Sequence, residues 1–284
     1  MVGTEDFTIY RAVDEGKQGL YCIRYKNYYV TQSGNSVALT TEATDGSYWS
    51  LMKTAKGTAT IISFNATDAS GNRYNTSEHN SAFISSFSTM GYNCSATINE
   101  SPFNSYSRFR TDDMIFYHGH SVPGALIFTQ NWSSTSPYYS GGIASHESIP
   151  TAAYSGIQKN YMYFIDDLFV NNMKNARVVF YLSCNSGISY VDADTGTEFN
   201  LVDATYEKGA HFVLGTTETT YNVQVYDWMD ALESNLTMGN NLQTSITNTR
   251  VAMASKSYII DTNQNTVDGD FGIYYVGDNI QFIN

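Results

Sequence analysis

The pattern of apolar and polar positions divides the chain into a strand-rich beginning and a longer region in which strands alternate with helices. Up to about residue 57, short apolar runs are separated by Gly, Asn, Asp and Ser, as in β-strands joined by turns. From residue 58, runs of strand length alternate with stretches whose apolar residues recur at helical spacing. We therefore predict a small β-rich module over 1–57 and an α/β domain over 58–284.

The alternating region predicts a mostly parallel sheet flanked by helices, because parallel neighbours are joined by helical crossovers. The predicted strands are Ala59–Phe64, Tyr92–Ile98, Asp113–Tyr117, Arg177–Leu182 and Ala210–Leu214. The predicted helices are Ser77–Met90, Phe103–Phe109, Tyr161–Met173, Asn200–Lys208, Val223–Asn235 and Leu242–Ser255. Residues 131–156 form a long predicted loop, typical of a binding loop, a lid or a processing site, and the tail from Tyr258 to Ile283 predicts hairpin strands.

Two of the predicted strands end in residues that can carry out chemistry. The segment Met114–His120 ends in two histidines around Gly119, and the segment Val178–Gly187 delivers Cys184 into a turn of small residues. The carboxyl ends of strands in an open parallel sheet are where ligands and catalytic groups collect. A thiol needs a nearby base to become a thiolate at neutral pH, and imidazole is the usual base. The pattern favours a Cys-His nucleophilic hydrolase; the alternative is a buried structural cysteine.

Composition and charge indicate which partners the protein can bind and where it is located. The 284 residues carry a net charge of −12 with only 15 Lys and Arg, so we expect no nucleic acid partner. No apolar run reaches the ~18 residues of a transmembrane segment. The many tyrosines and the 15% charged residues are typical of an extracellular bacterial protein. We expect an extracellular or cell-surface location, although no signal peptide is visible at the N-terminus.

The two strand-end segments resemble the histidine and cysteine motifs of the caspase–haemoglobinase superfamily, which includes caspases, metacaspases and gingipain- and legumain-like peptidases. Ser183–Gly187 is similar to the metacaspase Asp-Ser-Cys-His-Ser-Gly element, and Gly119-His120 resembles the Gly-His of its Ser-Gly-His-Gly element. The histidine strand also precedes the cysteine strand, as in the family. The resemblance covers roughly residues 58–255 and implies a caspase-like sheet flanked by helices.

The resemblance implies a secreted cysteine peptidase that acts on protein or peptide substrates through a thioester acyl-enzyme. Cys184 would attack the scissile carbonyl and a histidine would protonate the leaving amine. The backbone N–H groups of Cys184 and Ser121 would hold the oxyanion. The family mechanism requires no cofactor and no metal. A transpeptidase would use the same dyad with an amine acceptor, and the sequence does not separate it from a hydrolase.

Either of two histidines can be the base. His118 is followed directly by Gly119, as the catalytic histidine of the family usually is. His120 is preceded by Gly119, as in the metacaspase-like motif, and Gly124 follows four residues later, as in the caspase turn. We favour His120, and note that Ser121 then stands where the family has Gly.

Substrate and metal contacts are less specific predictions. Leu182 stands where metacaspases carry an Asp that favours basic P1 residues, so no P1 preference is implied. Glu218 and Asp68 are candidate substrate-binding carboxylates, although solvent exposure alone is the commoner explanation of such residues. The loops Asp192–Glu198 and Asp261–Asp270 offer oxygen ligands that could bind calcium, although solvated turns have the same composition.

The N-terminal segment has a second resemblance. Gly19–Arg24, Asn27–Tyr29 and Tyr48–Leu51 resemble one repeat of a ricin-type β-trefoil lectin, which implies glycan binding by this segment. A trefoil needs three repeats, and the segment has room for one. An alternative function for the whole chain, favoured by the departures at Ser121 and Leu182, is a catalytically degenerate caspase-like module used for binding or adhesion and associated with carbohydrate.

Overall fold

The computed structural model describes residues 7–11, 21–34, 36–49, 56–67, 73–128, 141–149, 162–260 and 263–282. The chain divides into two compact units, residues 1–54 and 55–284. None of the described helices combines the length and the apolar character that crossing a membrane requires. The three cysteines, all among the described residues, are not joined by disulfides.

The first unit is an antiparallel sheet, and the turn-separated apolar runs predicted its β character. Its strands are β1 Phe7–Arg11, β2 Tyr21–Tyr25, β3 Tyr28–Ser33, β4 Ser36–Thr40 and β5 Tyr48–Trp49. The order is β1-β2-β3-β4, with β5 beside β2. The buried Thr31 hydroxyl lies 2.6 Å from the Ser47 hydroxyl and 2.8 Å from the Thr40 hydroxyl. Part of the ricin-like segment lies outside the described residues, and glycan binding stays a prediction.

The second unit holds the remaining elements. Its strands are β6 Thr58–Ser63, β7 Asn65–Thr67, β8 Arg73–Asn75, β9 Asn93–Ile98, β10 Met114–Tyr117, β11 His120–Val122, β12 Ala125–Phe128, β13 Gly141–Ala144, β14 Met162–Phe164, β15 Val178–Tyr181, β16 Tyr190–Val191, β17 Glu198–Phe199, β18 Phe212–Thr216, β19 Ser257–Ile259, β20 Thr266–Asp268 and β21 Ile273–Gly277. Its helices are α1 Asn80–Thr89, α2 Pro102–Thr111, α3 Leu201–Glu207, α4 Asn222–Thr237 and α5 Leu242–Met253.

The central sheet has six strands in the order β21-β18-β15-β10-β6-β9. All neighbouring pairs are parallel except β18 and β21, which are antiparallel. The predicted α/β class with a mostly parallel sheet flanked by helices is therefore confirmed. A second sheet, in the order β11-β12-β13-β14, includes the segment that follows the histidines.

Two apolar layers cover the two faces of the central sheet, because successive strand residues point to opposite sides. Phe116 and Phe180 pack in the layer that holds Trp228 and the apolar residues of α1, α4 and α5. Tyr117 and Tyr181 pack in the opposite layer with residues of α2 and α3. The helix predictions over these segments are confirmed, with ends that differ by up to three residues.

The predicted helix Tyr161–Met173 is wrong. Residues 162–164 form β14, which pairs in parallel with β13, so that Gly142 stands opposite Met162. The chain then continues in tight turns, with the Leu168 N–H donating to the Ile165 carbonyl at 3.1 Å and Asn171 in the left-handed region at φ 64°. Pairing with a strand distant in sequence overrides the local helical spacing here. Strand β13 itself lies inside the predicted loop 131–156.

Candidate active site

Cys184 lies in a turn directly after β15, at the carboxyl end of the central sheet. Within residues 183–188, backbone N–H groups donate to carbonyls three residues earlier at 3.1 and 3.2 Å. Asn185 adopts the left-handed region at φ 57°, which Asn tolerates better than most residues. The turn therefore places the thiol at one defined position beyond the sheet edge.

Two glycines let this cysteine turn pack closely against β18. The Gly187 N–H donates to the Thr216 carbonyl at 2.7 Å. A Cβ on Gly215 would stand 2.6 Å from the nitrogen of Gly187, and a Cβ on Gly187 would stand 2.8 Å from the carbonyl oxygen of Gly215. The Ser186 hydroxyl donates to the Tyr181 carbonyl at 2.6 Å and accepts from the Thr216 N–H at 3.0 Å. Any side chain at either glycine would displace the turn.

The histidine segment approaches the cysteine turn from the neighbouring strand. Strand β10 is the parallel neighbour of β15, with Tyr117 opposite Tyr181. The Ser121 hydroxyl donates a short hydrogen bond to the carbonyl of Cys184. The Tyr117 hydroxyl donates to the His120 carbonyl at 2.8 Å and fixes the start of β11. The fold thus brings the segment of His120 and Ser121 to the turn of Cys184, although these residues are more than 60 positions apart.

Thr220 surrounds the thiol with polar groups, and the sequence analysis did not single it out. Its N–H donates to Cys184 Sγ at 3.4 Å, its carbonyl oxygen lies 3.6 Å from Sγ and its hydroxyl 3.7 Å from Sγ. The carbonyl can accept a hydrogen bond from the thiol, and the N–H can stabilise a thiolate. Thr220 lies on the loop between β18 and α4, another carboxyl strand end, which is the signal that could have identified it.

The two candidate bases differ in their surroundings. His118 is 2% exposed, its ring centroid lies 5.4 Å from that of Tyr226, and its Nδ1 has no hydrogen-bond partner among the described residues. Burial, helped by the neighbouring His79 and His120, lowers the pKa of His118 to about 3. His120 is partly exposed, and burial lowers its pKa to about 4. Both imidazoles are therefore neutral at pH 7, but His118 lies in the protein interior.

Three further positions are singled out from the sequence as relevant to substrate binding: Glu218, Leu182 and Asp68. The carbonyl of Glu218 accepts from the Asn185 N–H at 3.0 Å, so its backbone flanks the cysteine turn while its side chain is exposed. Leu182 is completely buried in the core, so its side chain cannot meet a substrate. Asp68 lies outside the described residues.

The two predicted calcium loops contain carboxylates that already have protein partners. The Asp192 carboxylate accepts from the backbone N–H and the hydroxyl of Thr195 at 2.8 and 3.0 Å, and these hydrogen bonds lower the pKa of Asp192. In the second loop, Asp270 pairs with Arg250 at 2.9 Å, whereas Asp261 lies outside the described residues. Calcium binding stays a prediction.

Among the described residues, a group of side chains close enough to hold a metal lies elsewhere. His79, Asp230 and Glu233 place ligand atoms within 4.8 Å of one another. However, His79 Nε2 faces Glu233 at 2.9 Å and His79 Nδ1 faces Asp230 at 3.6 Å. Each ring nitrogen has its own carboxylate, which is the arrangement of ion pairs rather than of three ligands converging on one point.

Comparison with known proteins gives structural similarity alone. No family model and no curated protein matches the sequence. The chain is similar to the Arg-specific cysteine proteinase gingipain R, with 14% identity and a TM-score of 0.45 over 69% of this chain and 41% of that chain. The chain is also similar to caspase-1 from Spodoptera frugiperda, with 12% identity and a TM-score of 0.45 over 78% of this chain and 88% of that chain. A third similar structure is the Saccharomyces cerevisiae separase–securin complex, with 11% identity and a TM-score of 0.40 over 68% of this chain and 10% of that chain. The chain therefore spans less than half of the gingipain chain and about a tenth of the separase chain.

Proposed function

We propose that this protein is a cysteine peptidase that uses a Cys184–His120 dyad. One observation carries the proposal: the two segments leave neighbouring parallel strands at the same sheet edge, and the Ser121 hydroxyl bonds to the Cys184 carbonyl. A thiol and a neutral imidazole carried to the same edge are the two groups that nucleophilic acyl transfer needs. His118, enclosed beside Tyr226, is less suited to proton exchange with a substrate.

The proposed reaction has two stages. His120, kept neutral by its lowered pKa, accepts the thiol proton as Cys184 Sγ attacks the scissile carbonyl. The backbone N–H of Cys184, which makes no hydrogen bond among the described residues, and that of Ser121 are the proposed oxyanion donors. His120 then protonates the leaving amine, and a thioester forms. Water, activated by His120, hydrolyses the thioester and restores the thiol.

The proposed substrate is a protein or peptide chain, and its P1 residue is not set by Leu182, which is buried. Of the two candidate substrate-binding carboxylates, Glu218 and Asp68, only Glu218 lies among the described residues. Its backbone adjoins the cysteine turn. We propose it as a contact for a basic substrate residue. An extracellular location, calcium binding, and glycan binding by the first unit remain proposals of the same kind.

A non-catalytic binding or adhesion module is the second candidate function. The thiol lies within hydrogen-bonding distance of the Thr220 carbonyl, and Ser121 replaces the Gly of the family motif. The first feature suits a cysteine that stays protonated, and the second restricts the backbone that would supply an oxyanion donor. A module of this kind would retain the fold without turnover.

The decisive experiment is covalent labelling with acyloxymethyl-ketone peptides that differ at P1, read by mass spectrometry. We expect adduct on Cys184 in the wild type, no adduct in Cys184→Ala, and loss of most labelling in His120→Ala. His118→Gln should keep labelling if His120 is the base. Cys94→Ala is the matched control, because burial raises the pKa of the partly buried Cys94 and makes it a poor nucleophile.

Two outcomes contradict the proposal. Absence of labelling by every probe, with Cys184 also unreactive to iodoacetamide in the folded protein, favours the binding module. Labelling that survives His120→Ala but is lost in His118→Gln assigns the base to the buried histidine. Product analysis with and without an added amine acceptor separates a hydrolase from a transpeptidase.

A further inference from the structure

A cavity of about 290 Å³ lies between the second sheet and α3, and it takes no part in the proposed reaction. We name it the acidic cavity, because its lining includes four carboxylates, Asp166, Glu198, Asp203 and Glu207. None of the described lining residues is Lys or Arg. The nearby Lys208 directs its ammonium to the backbone carbonyl of Asp166 at 2.7 Å. The cavity therefore presents excess negative charge.

Two polar atoms in the wall of the acidic cavity lack partners. Ser145 is 2% exposed, and its hydroxyl oxygen has no hydrogen-bond partner among the described residues. The Oδ1 atom of Asp166 is likewise buried and unpartnered. Burial raises the pKa of Asp166, although His146 and Lys208 partly offset the effect of burial. A buried polar atom without a partner is costly, so both atoms point to a ligand that brings hydrogen-bond donors.

An aromatic pair forms another part of the wall. The rings of His146 and Phe199 are stacked, with centroids 4.2 Å apart and an interplanar angle of 13°. His146 Nδ1 accepts from the Ser148 N–H at 3.0 Å, which places the ring proton on Nε2, 3.4 Å from Asp166 Oδ2. His146 therefore contributes an aromatic face to the wall. Aromatic faces attract organic cations.

The spacing of the carboxylates disfavours a metal ion. A divalent metal needs oxygen ligands that converge to within about 2.0–2.6 Å of one point. Among the described residues, the group of ligand atoms within 4.8 Å of one another is that of His79, and it does not include the acidic cavity. Separated acceptors around an aromatic wall match the several diverging donors of a guanidinium or the three of an ammonium.

We propose that the acidic cavity is a binding site for an organic cation, a guanidinium or primary ammonium group. The site does not use Cys184, so it stands whether or not the protein is a peptidase. Its wall adjoins the cysteine turn, because the Asn200 amide donates to the Gly187 carbonyl at 3.1 Å. The cation can come from a free amine or from an Arg or Lys side chain of a peptide, since both carry the same group.

Isothermal titration calorimetry of the full chain tests the site, on a Cys184→Ala background so that turnover cannot consume a ligand. The probes are agmatine, its neutral analogue butylurea, N-acetyl-arginine amide and CaCl₂. We expect agmatine to bind at one site and butylurea not to bind. Glu198→Gln and Asp166→Asn should each weaken agmatine binding about tenfold, the loss expected from one charge-assisted hydrogen bond. Binding of agmatine alone indicates a free amine, and binding of N-acetyl-arginine amide as well indicates a peptide side chain.

The matched control is Glu147→Gln, an exposed carboxylate next to His146 that does not line the cavity and should leave binding unchanged. Thermal unfolding of each variant checks that it is folded. Because Glu198 is exposed, its substitution tests the site even if Asp166→Asn fails to fold. The proposal is overturned if neither cation binds, if butylurea binds as well as agmatine, if Glu198→Gln binds as well as the parent, or if calcium displaces agmatine and is itself lost in Glu198→Gln.

Discussion

His118 and His120 are two side chains whose charge the fold controls strongly. Burial lowers the pKa from 6.5 to about 3 for His118 and to about 4 for His120. In the unfolded chain both return to the ordinary value, so below pH 6.5 the unfolded state binds more protons than the folded state. The stabilisation from neutral burial is complete above that pH and is lost as the pH falls toward 4 and then 3.

We predict that the free energy of unfolding decreases from pH 6.5 to pH 4 by up to about 1.4 kcal/mol per pH unit for each of these histidines. His118→Gln should remove one histidine's share of this slope, as measured by urea unfolding at pH 7, 6 and 5. Asn248→Gln is the control, because it is an exposed substitution that changes no titratable group and should leave the slope unchanged. An unaltered slope in His118→Gln would show that His118 does not govern acid sensitivity.

Ser121 connects the proposed base to the nucleophile, because its hydroxyl donates to the Cys184 carbonyl. We predict that Ser121→Ala lowers stability by about 1 kcal/mol, the usual worth of one hydrogen bond, and slows Cys184 labelling by the peptide probe. Ser121→Thr keeps a hydroxyl and should restore part of the rate. Ser81→Ala, on the exposed side of α1, is the control. A full labelling rate in Ser121→Ala would show that the connection does not matter for the thiol.

Packing of the cysteine turn against β18 depends on close backbone contact in addition to the Ser186 hydrogen bond. The atoms of Gly187 and Gly215 approach so closely that an added Cβ on Gly215 would stand 2.6 Å from a backbone nitrogen. We predict that Gly215→Ala destabilises the fold by about 1–3 kcal/mol, as overpacking does, and slows Cys184 labelling because the turn shifts.

The control for Gly215→Ala is Gly34→Ala in the first unit. Gly34 has a φ of 62° and open space around its Cα, so alanine there costs backbone strain without a clash. Its labelling rate should equal that of the wild type. Equal labelling in Gly215→Ala and Gly34→Ala would contradict a positioning role for the glycine pair.

Strand β14 illustrates how an element's type can depend on its neighbours. The segment from Tyr161 to Met173 has helical spacing, yet Met162, Tyr163 and Phe164 pair with β13. Local propensity is a weak determinant when a backbone ladder is available. The paired strand β13 lies in a stretch rich in Gly and Ser that carries no strand pattern of its own, so neither element could be predicted alone.

The second unit joins its last described residues to its first ones. Phe282 is 2% exposed and its ring lies 6.4 Å from that of Phe87 and 6.2 Å from that of Tyr92. Its carbonyl accepts from the Lys56 ammonium at 2.5 Å. We predict that Phe282→Ala lowers the free energy of unfolding by about 3–5 kcal/mol. Phe169→Ala, at an 84% exposed position, should change it by less than about 0.5 kcal/mol; urea unfolding measures both. Equal losses of unfolding free energy in the two variants would contradict the inference that Phe282 packs the end of the second unit against its beginning.

Local order along the chain determined the alternation of strands and helices, the α/β class and the delivery of His120 and Cys184 at strand ends, because hydrophobic period and turn residues act over a few positions. Strand neighbours, by contrast, are chosen by packing between distant segments. Only the tertiary structure decided that Ser121 bonds to Cys184, that Thr220 flanks the thiol, and that His118 is fully buried while His120 is partly exposed. The acidic cavity has the same origin, since its carboxylates come from segments that meet only after folding.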